Sequence, residues 1–270
     1  MPEISIVAGA YNISHYFALK KSMESILNQT FSDFEFIICD DGSTDNTWSI
    51  LQSYAEKDKR IKLLRNERNL GLAATLNRCI NTSVCKYIAR HDLDDYCDIE
   101  RLKKQVDFLE RHPDVAILGT RAFLFDENGV WGKEDFPLSV SNKDFLFNSP
   151  YKHGSVMFRR EALMNAGCYR VSKETRRAED YDLFMTMQSF CKGGNLDEYL
   201  YFFCENSAAK KRRKYRYRID EAKVRAKGFK KLGLLPKGYI YIVKPLVVGL
   251  IPSGMLDRLK NKYYKHRKLW

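Results

Sequence analysis

Five short apolar runs alternate with helical patterns between residues 4 and 118, and no other feature of this 270-residue chain limits its fold so strongly. ISIVA (Ile4 to Ala8), FEFIIC (Phe34 to Cys39), IKLL (Ile61 to Leu64), KYIA (Lys86 to Ala89) and VAIL (Val115 to Leu118) read as strands buried on both faces. Between them Leu19, Met23, Ile26 and Leu27 recur at i, i+4, i+7 and i+8. Trp48, Leu51 and Ala55 make a second stripe, and Leu102, Val106 and Leu109 a third. Such alternation with short connections predicts right-handed crossovers. The fold class is α/β, Rossmann-like, with a mainly parallel twisted sheet and helices on both faces. Ligands of such sheets bind at the carboxyl ends of the strands. The segments to read are therefore AYN after the first run, DDGSTD (Asp40 to Asp45) after the second and RHDLDD (Arg90 to Asp95) after the fourth.

The last of these opens a cluster of four acids, Asp92, Asp94, Asp95 and Asp98. Like charges held together need water or a cation between them. In an extended or turning segment the carboxylates of Asp92 and Asp94, two apart, can be directed to one cation while Leu93 points away. Mg²⁺ and Mn²⁺ prefer such oxygen ligands, completed by substrate phosphates. Asp95 and Asp98 have a structural alternative, capping the helix that follows. In DDGSTD, Gly42 permits a tight turn and Ser43, Thr44 or Asp45 can cap the helix carrying Trp48. Capping leaves the two leading acids unexplained; a carboxylate there can accept a hydrogen bond from a nucleobase or a ribose hydroxyl. Farther on, Asp180 stands beside Glu179 at an expected helix start. Adjacent carboxylates discourage each other's ionisation and raise a pKa toward that of a general base. Arg176 and Arg177 can hold a diphosphate or balance these acids, and His153 can reach a substrate or simply pack.

Beyond Thr120 the pattern changes. FLFDENGVWGK carries a hairpin signal at Asn128-Gly129, SVMF (Ser155 to Phe158) reads as a strand before a short helix, and LDEYLYFF as a late strand. The main domain is placed at residues 1–207, and 208–270 form a basic, partly apolar C-terminal extension expected to be helical. Much of the net charge of +12 lies there, beginning with KKRRKYRYR (Lys210 to Arg218). YIYIVKPLVVGLIP (Tyr239 to Pro252) is too short to span a bilayer, which takes ~20 apolar residues. With cationic flanks it reads as an interfacial segment on an anionic membrane surface; the alternative is a cap on the domain's own core. The N-terminus shows no secretory signal, and seven scattered cysteines suit reduced thiols. The expected location is the cytoplasm, peripheral on the inner face of the cell membrane.

SIVAGAYN, FSDFEFIICDDGSTD, NLGLAATLN, YIARHDLDD, SVMFRREAL and AEDYDLF occur here in the order found in the family-2 glycosyltransferases of GT-A fold. Over roughly residues 3 to 205 the chain resembles the bacterial members that build surface polysaccharide or lipopolysaccharide. The resemblance implies that Tyr11 lies near the nucleobase and that Asp41, with Asp40 beside it, contacts uracil or ribose. It further implies that Asp94 is the main metal-binding acid, with Asp92 as its partner on metal and nucleotide, and that Asp180 is the catalytic base. Glu179, His153 and Arg177 are candidates for substrate contact. Gly9 stands where relatives often carry a hydroxyl. The implied reaction is an inverting transfer of one sugar from a nucleotide-sugar, expected to be a UDP-sugar, to a saccharide or lipid-linked acceptor, with Mn²⁺ or Mg²⁺.

Two other classes compete. Sugar-nucleotide nucleotidyltransferases need a G-x-G-T-R loop near the first strand, and only Gly9 is present. The basic run interleaves aromatic residues as nucleic-acid binders do, but no nucleic-acid module accompanies it, so no nucleic-acid partner is expected. Processive synthases carry Q-x-x-R-W and several membrane spans. This chain has neither.

Overall fold

The computed structural model describes residues 2–14, 17–205 and 215–251. Its first half runs β1 (Ile4–Ala10), α1 (Leu19–Leu27), β2 (Phe34–Asp40), α2 (Thr47–Lys57), β3 (Ile61–Arg65), α3 (Leu72–Thr82), β4 (Tyr87–Arg90), a two-residue β5 (Tyr96–Cys97) and α4 (Arg101–Arg111). The second half follows with β6 (Val115–Asp126), β7 (Gly129–Glu134), β8 (Met157–Arg159), α5 (Arg160–Asn165), α6 (Glu179–Gln188), β9 (Lys192–Cys204), α7 (Tyr215–Lys231) and α8 (Tyr239–Leu250). One sheet joins the strands in the order β3-β2-β1-β4-β8-β6-β9-β5, with β7 hydrogen-bonded to β6. The β3-β2-β1-β4 half is parallel throughout. Beyond it β8 runs antiparallel to both neighbours, and β9 returns parallel to β6.

Period-2 alternation along the inner strands builds two cores, one on each face. Ile4, Ile6, Ala8, Phe36 and Ile38 meet Met23 and Ile26 of α1, Leu51 of α2 and Val106 and Leu109 of α4. Val7, Ile37 and Cys39 point the other way, onto Leu76 and Ile80 of α3 and Phe184 of α6. Helix α3 supplies the crossover between IKLL and KYIA that the three sequence stripes did not include. The late strand also starts earlier than LDEYLYFF, at Lys192. Gly193 and Gly194 weaken the strand signal there, but a Cβ at Gly193 would collide with the Tyr151 hydroxyl, so this close packing admits only glycine.

Residue 207 is not a boundary in packing. Val224 and Phe229 of α7, with Leu232, are buried in the same cluster as α6, and the Arg225 guanidinium donates to the carbonyls of Leu146 and Phe147 at 3.0 and 3.2 Å. The described part of the extension, residues 215–251, forms two helices, as expected, but the first belongs to the core. Lys210 to Lys214 of the basic run, and residues 252–270, lie outside the described residues. Among the described residues no helix is long and apolar enough to cross a membrane.

Candidate active site

Register brings the ends of the parallel strands into line, with Ala10 opposite Asp40 and Asp40 opposite Arg65. Above this edge lies a cleft of about 700 Å³. Its walls come from the segment after β1 (Gly9, Tyr11, Ile13), the turn after β2 (Asp41), the start of α3 (Leu70, Gly71), the turn after β4 (Asp92, Asp94), the loop before α6 (Arg176, Arg177, Glu179) and Tyr217 of α7. A smaller hollow of about 190 Å³ between α6 and α7 has its cations in use, Arg170 on Asp182 and Lys227 on Glu174.

The DDGSTD turn is a clamp on its neighbours. Asp41 is buried, and its carboxylate accepts hydrogen bonds from the Asn66 amide (2.8 Å) and the backbone N–H groups of Leu70 (2.8 Å) and Gly71 (2.9 Å), fixing the entry to α3. Gly42, at φ +71°, has no room for a side chain, since a Cβ would lie 2.7 Å from the backbone of Arg68. Ser43 accepts the Asn12 N–H at 2.9 Å. Asp45 accepts the N–H of Thr47 in the first turn of α2 and the hydroxyl of Ser14, at 3.0 and 2.7 Å. Burial works against ionisation of Asp45, yet the hydrogen bonds from Ser14 and Thr47 hold its pKa at about 2. The whole block thus pins the AYN segment, leaving Tyr11 44% exposed at the mouth of the cleft.

Asp40 requires a correction. It is wholly buried, accepts the Ser43 N–H at 3.1 Å and sits 3.1 Å from the Arg65 guanidinium, and it does not line the cleft. Of the two leading acids only Asp41 is presented to a ligand, because β2 continues through Asp40 and turns its side chain beneath the loop.

The turn after β4 separates its acids by environment. Arg90, the last residue of β4, is completely buried and pairs with Asp92 Oδ1. The other Asp92 oxygen lies against Gly154, where a Cβ would come within 3.0 Å of it, and the Asp92 N–H donates to the Tyr201 hydroxyl at 3.2 Å. Leu93 is buried, as its place between two outward carboxylates predicts. Asp95 accepts the Cys204 N–H at 2.7 Å. Burial, then the charges of Asp94 and Asp92, raise its pKa well above the usual range and favour its protonated form. Asp98 accepts the Glu100 N–H at 2.9 Å in the turn before α4; the N-cap of that helix is Glu100, with no side-chain cap, so Asp98 shapes the turn and does not cap the helix. The crowding of acids is therefore relieved by a built-in guanidinium at Asp92 and by burial that disfavours ionisation of Asp95, and Asp92 and Asp94 are the acids of the turn that line the cleft.

The donor set suits a hard divalent cation only in part. Asp92 and Asp94 both line the cleft, Asp92 pairs with Arg90, and among the described residues no three His, Cys, Asp or Glu side chains form a ready cage. One or two carboxylates completed by phosphate oxygens is how Mg²⁺ and Mn²⁺ are commonly held beside nucleotides.

On the opposite wall, Glu179 and Asp180 open α6. Their negative charges lie at the positive end of the helix dipole. Glu179 accepts the N–H of Arg177, a residue held at φ +114°, a strained value for a side chain of this size. Burial, then the charge of Asp180, push the Glu179 pKa up to about 7. Glu179 therefore carries a raised carboxyl pKa, and of the pair it is the one lining the cleft. Asp180, the next residue, is also half-buried and is not among the residues lining the cleft; its carboxylate accepts the Tyr181 N–H at 2.8 Å. Its charge acts on His153 and Tyr169, as does that of Asp92. The two acids, far apart in sequence, therefore converge on one site.

His153 does not line the cleft. Its Nε2 is 2.7 Å from the Tyr169 hydroxyl and its ring packs edge-on against Phe184. Burial, then the positive charge of Arg90, lower its pKa to about 4, so it is neutral at pH 7. Its placement is that of a packed wall residue. Arg90, Tyr201 and Tyr217 have no counterpart among the residues picked from sequence. An arginine ending an apolar strand just before a D-x-D is a usable signal for the first; nothing marks the other two.

Comparison with known proteins follows the same lines. Residues 5–174 match the family described as Glycosyl transferase family 2. The chain is 39% identical over 269 residues, 99% of its length and 96% of the relative's, to EpsE of Bacillus subtilis (strain 168), described as a glycosyltransferase. It is 28% identical over 272 residues, 98% of its length and 99% of the relative's, to the amylovoran biosynthesis glycosyltransferase AmsE of Erwinia amylovora. Among solved structures, S. aureus TarS 1-349 in complex with UDP-GlcNAc superposes with a TM-score of 0.69 at 19% identity, over 88% of this chain and 72% of that one. The mannosyltransferase PcManGT from Pyrobaculum calidifontis, in complex with GDP-Man and Mn²⁺, superposes with a TM-score of 0.60 at 18% identity, over 97% and 80%. The curled, mainly parallel sheet with its cleft is the GT-A fold.

Proposed function

Because this chain belongs to glycosyl transferase family 2, we propose that it moves one sugar, with inversion, from a nucleotide-sugar to a saccharide or lipid-linked acceptor in the synthesis of a polysaccharide or lipopolysaccharide. The observation that carries this reading is the meeting of Asp94, from the turn after β4, and Glu179, beside Asp180 at the start of α6, in one cleft. The complexes of TarS with UDP-GlcNAc and of PcManGT with GDP-Man support a nucleotide-sugar donor, and a UDP-sugar is the first to test.

In this reading Tyr11 stacks on the base at the cleft mouth and Asp41, already fixing the α3 entry, offers its remaining acceptor capacity to base or ribose. Arg176 and Arg177 face the diphosphate. Asp94, aided by Asp92, would hold Mn²⁺ or Mg²⁺ together with the donor phosphates; when bound, the ion neutralises charge on the departing diphosphate. Asp180 takes the proton from the acceptor hydroxyl as that oxygen attacks the anomeric carbon from the side opposite the leaving group. The basic extension places the enzyme on the inner, anionic face of the cell membrane.

Asp180→Asn is expected to lower turnover by ~10² to 10⁴ while nucleotide binding is kept; near-normal turnover rejects the assignment. Asp94→Ala is expected to weaken Mn²⁺-dependent donor binding by at least ~10²-fold, measured by calorimetry with and without the ion. Unchanged Mn²⁺ dependence removes Asp94 from the site.

A further inference from the structure

Helix α8 is attached to the protein by one side only. Pro245 is buried, and Tyr241 and Ile242 pack on the cluster shared by α6 and α7. On the other side Tyr239, Ile240, Val243, Val247 and Leu250 are exposed, Ile240 and Leu250 to 74%. At 100° per residue these five positions fall within an arc of about 100°, a single apolar stripe. Phe147, also exposed, extends the patch from a neighbouring loop, its ring centroid 3.2 Å from the Lys244 ammonium. An apolar stripe of this kind on a water-facing protein marks a contact surface.

Charge selects what covers it. Lys230, Lys231 and Lys237 are exposed at the end where α8 begins, and Arg216 at the end where it finishes. Over residues 208–270 the sequence has 20 lysines and arginines against three acids. A surface both apolar and cationic fits the interface of a bilayer with anionic lipids, where the helix lies flat and its cations reach the headgroups.

The geometry also ties this stripe to the reaction cleft. Helices α7 and α8 form an antiparallel hairpin. Gly238, before α8, sits against Phe229 near the end of α7, and Gly249, near the end of α8, sits against Tyr215 and Arg218. A Cβ at Gly249 would lie 2.9 Å from the Arg218 side chain, so glycine sets the close approach. Tyr217, in the same first turn of α7, lines the cleft and stacks near the Arg177 guanidinium at 6.0 Å. The C-terminal end of the stripe is therefore next to the cleft wall on the Arg177 and Glu179 side.

From these observations we infer that the exposed face of α8 docks on an anionic lipid surface and brings the Arg177 and Glu179 side of the cleft to the headgroup layer. The docking stands apart from the glycosyl-transfer reading; only the transfer readout in the test rests on that reading.

The test uses the full chain with phosphatidylcholine vesicles containing about 30% phosphatidylglycerol. The unaltered protein and Asp180→Asn are expected to co-sediment equally, with little binding to pure phosphatidylcholine. The double variant Ile240→Asp, Val247→Asp is expected to lose at least about tenfold in vesicle affinity, with unchanged thermal unfolding and unchanged donor hydrolysis in solution. Phe190→Asp, at an exposed apolar residue on the end of α6, is expected to bind as the unaltered protein does. Transfer to a lipid-linked saccharide diphosphate in the vesicles falls with the binding. Equal vesicle binding by the double variant overturns the inference, as does a stripe found buried in a dimer by sedimentation velocity, or a mobility shift with RNA and none with vesicles. Failure of the unaltered protein to hydrolyse any nucleotide-sugar in a panel with Mn²⁺ instead removes the transferase reading and leaves the docking result standing.

Discussion

Two turns of this molecule begin alike and end in different roles. DDGSTD follows β2 and RHDLDD follows β4; both leave parallel strands at the same edge of the sheet, and both are rich in acids. In the first, Asp40 and Asp41 are occupied by protein partners. Asp40 is matched with Arg65, and Asp41 with three N–H donors around the start of α3. In the second, a fully buried guanidinium at Arg90 takes up Asp92 from below, and Asp92 and Asp94 line the cleft as Asp41 does. Position at a strand end gives an acid access to a ligand. The protein groups already around its carboxylate set how much of it also serves the wall, as the three donors on Asp41 do.

Replacing Arg90 is the strongest challenge to this contrast. Arg90→Met removes the internal counter-ion, leaves Asp92 without its partner and frees the carbonyls that Arg90 serves. It is expected to destabilise the fold by about 3 kcal/mol, read by denaturant unfolding. A loss below ~0.5 kcal/mol would show that the turn tolerates its acids without an internal cation. Asp41→Ala comes next, at about 2 kcal/mol, since two backbone N–H groups and an amide lose their acceptor at a partly solvated site. If stability is unchanged and only nucleotide affinity falls, Asp41 belongs with Asp94 and the contrast fails.

The Glu179 and Asp180 pair extends the comparison to a helix start, with the smallest effect. A carboxyl whose folded-state pKa is raised to about 7 from 4.5 stabilises the fold relative to its ionised form below the unfolded value, and that contribution is lost as pH rises through 7. Glu179→Gln is expected to flatten the pH dependence of stability between about pH 4.5 and 7 by roughly 1 kcal/mol, reduced from the full shift because the residue is partly exposed. An unchanged pH profile would assign the elevated carboxyl elsewhere.

The ordered half of the sheet was legible because buried parallel strands and amphipathic helices write their periods directly into the chain. The runs from Ile4 to Leu118 name β1, β2, β3, β4 and the start of β6 almost to the residue. The second half was less so. The glycines that open β9 lower its strand signal, while their fit against Tyr151 and the backbone of Leu138 is a tertiary fact. The hairpin signal at Asn128-Gly129 was readable because a turn is local, and Gly129 adopts φ +111° between β6 and β7. For the site, Tyr11, Asp41, Asp92, Asp94, Arg177 and Glu179 were picked from sequence and line one cleft. Asp40, His153 and Asp180, to which the sequence also points, are not among the residues lining it.

What the sequence determined by itself was the alternation of buried strands and helices, the edge where ligands bind and the residue types gathered there. These follow from local periods and from chain connectivity. The tertiary structure alone decided that Arg90 would supply the charge opposite Asp92, that Glu179 would be presented to the cleft with a raised pKa, and that α7 would join the core and place Tyr217 in the cleft. Each of these depends on which groups from distant segments share a low-dielectric space, and a carboxylate's ionisation and availability are set by those neighbours, which no reading of adjacent residues contains.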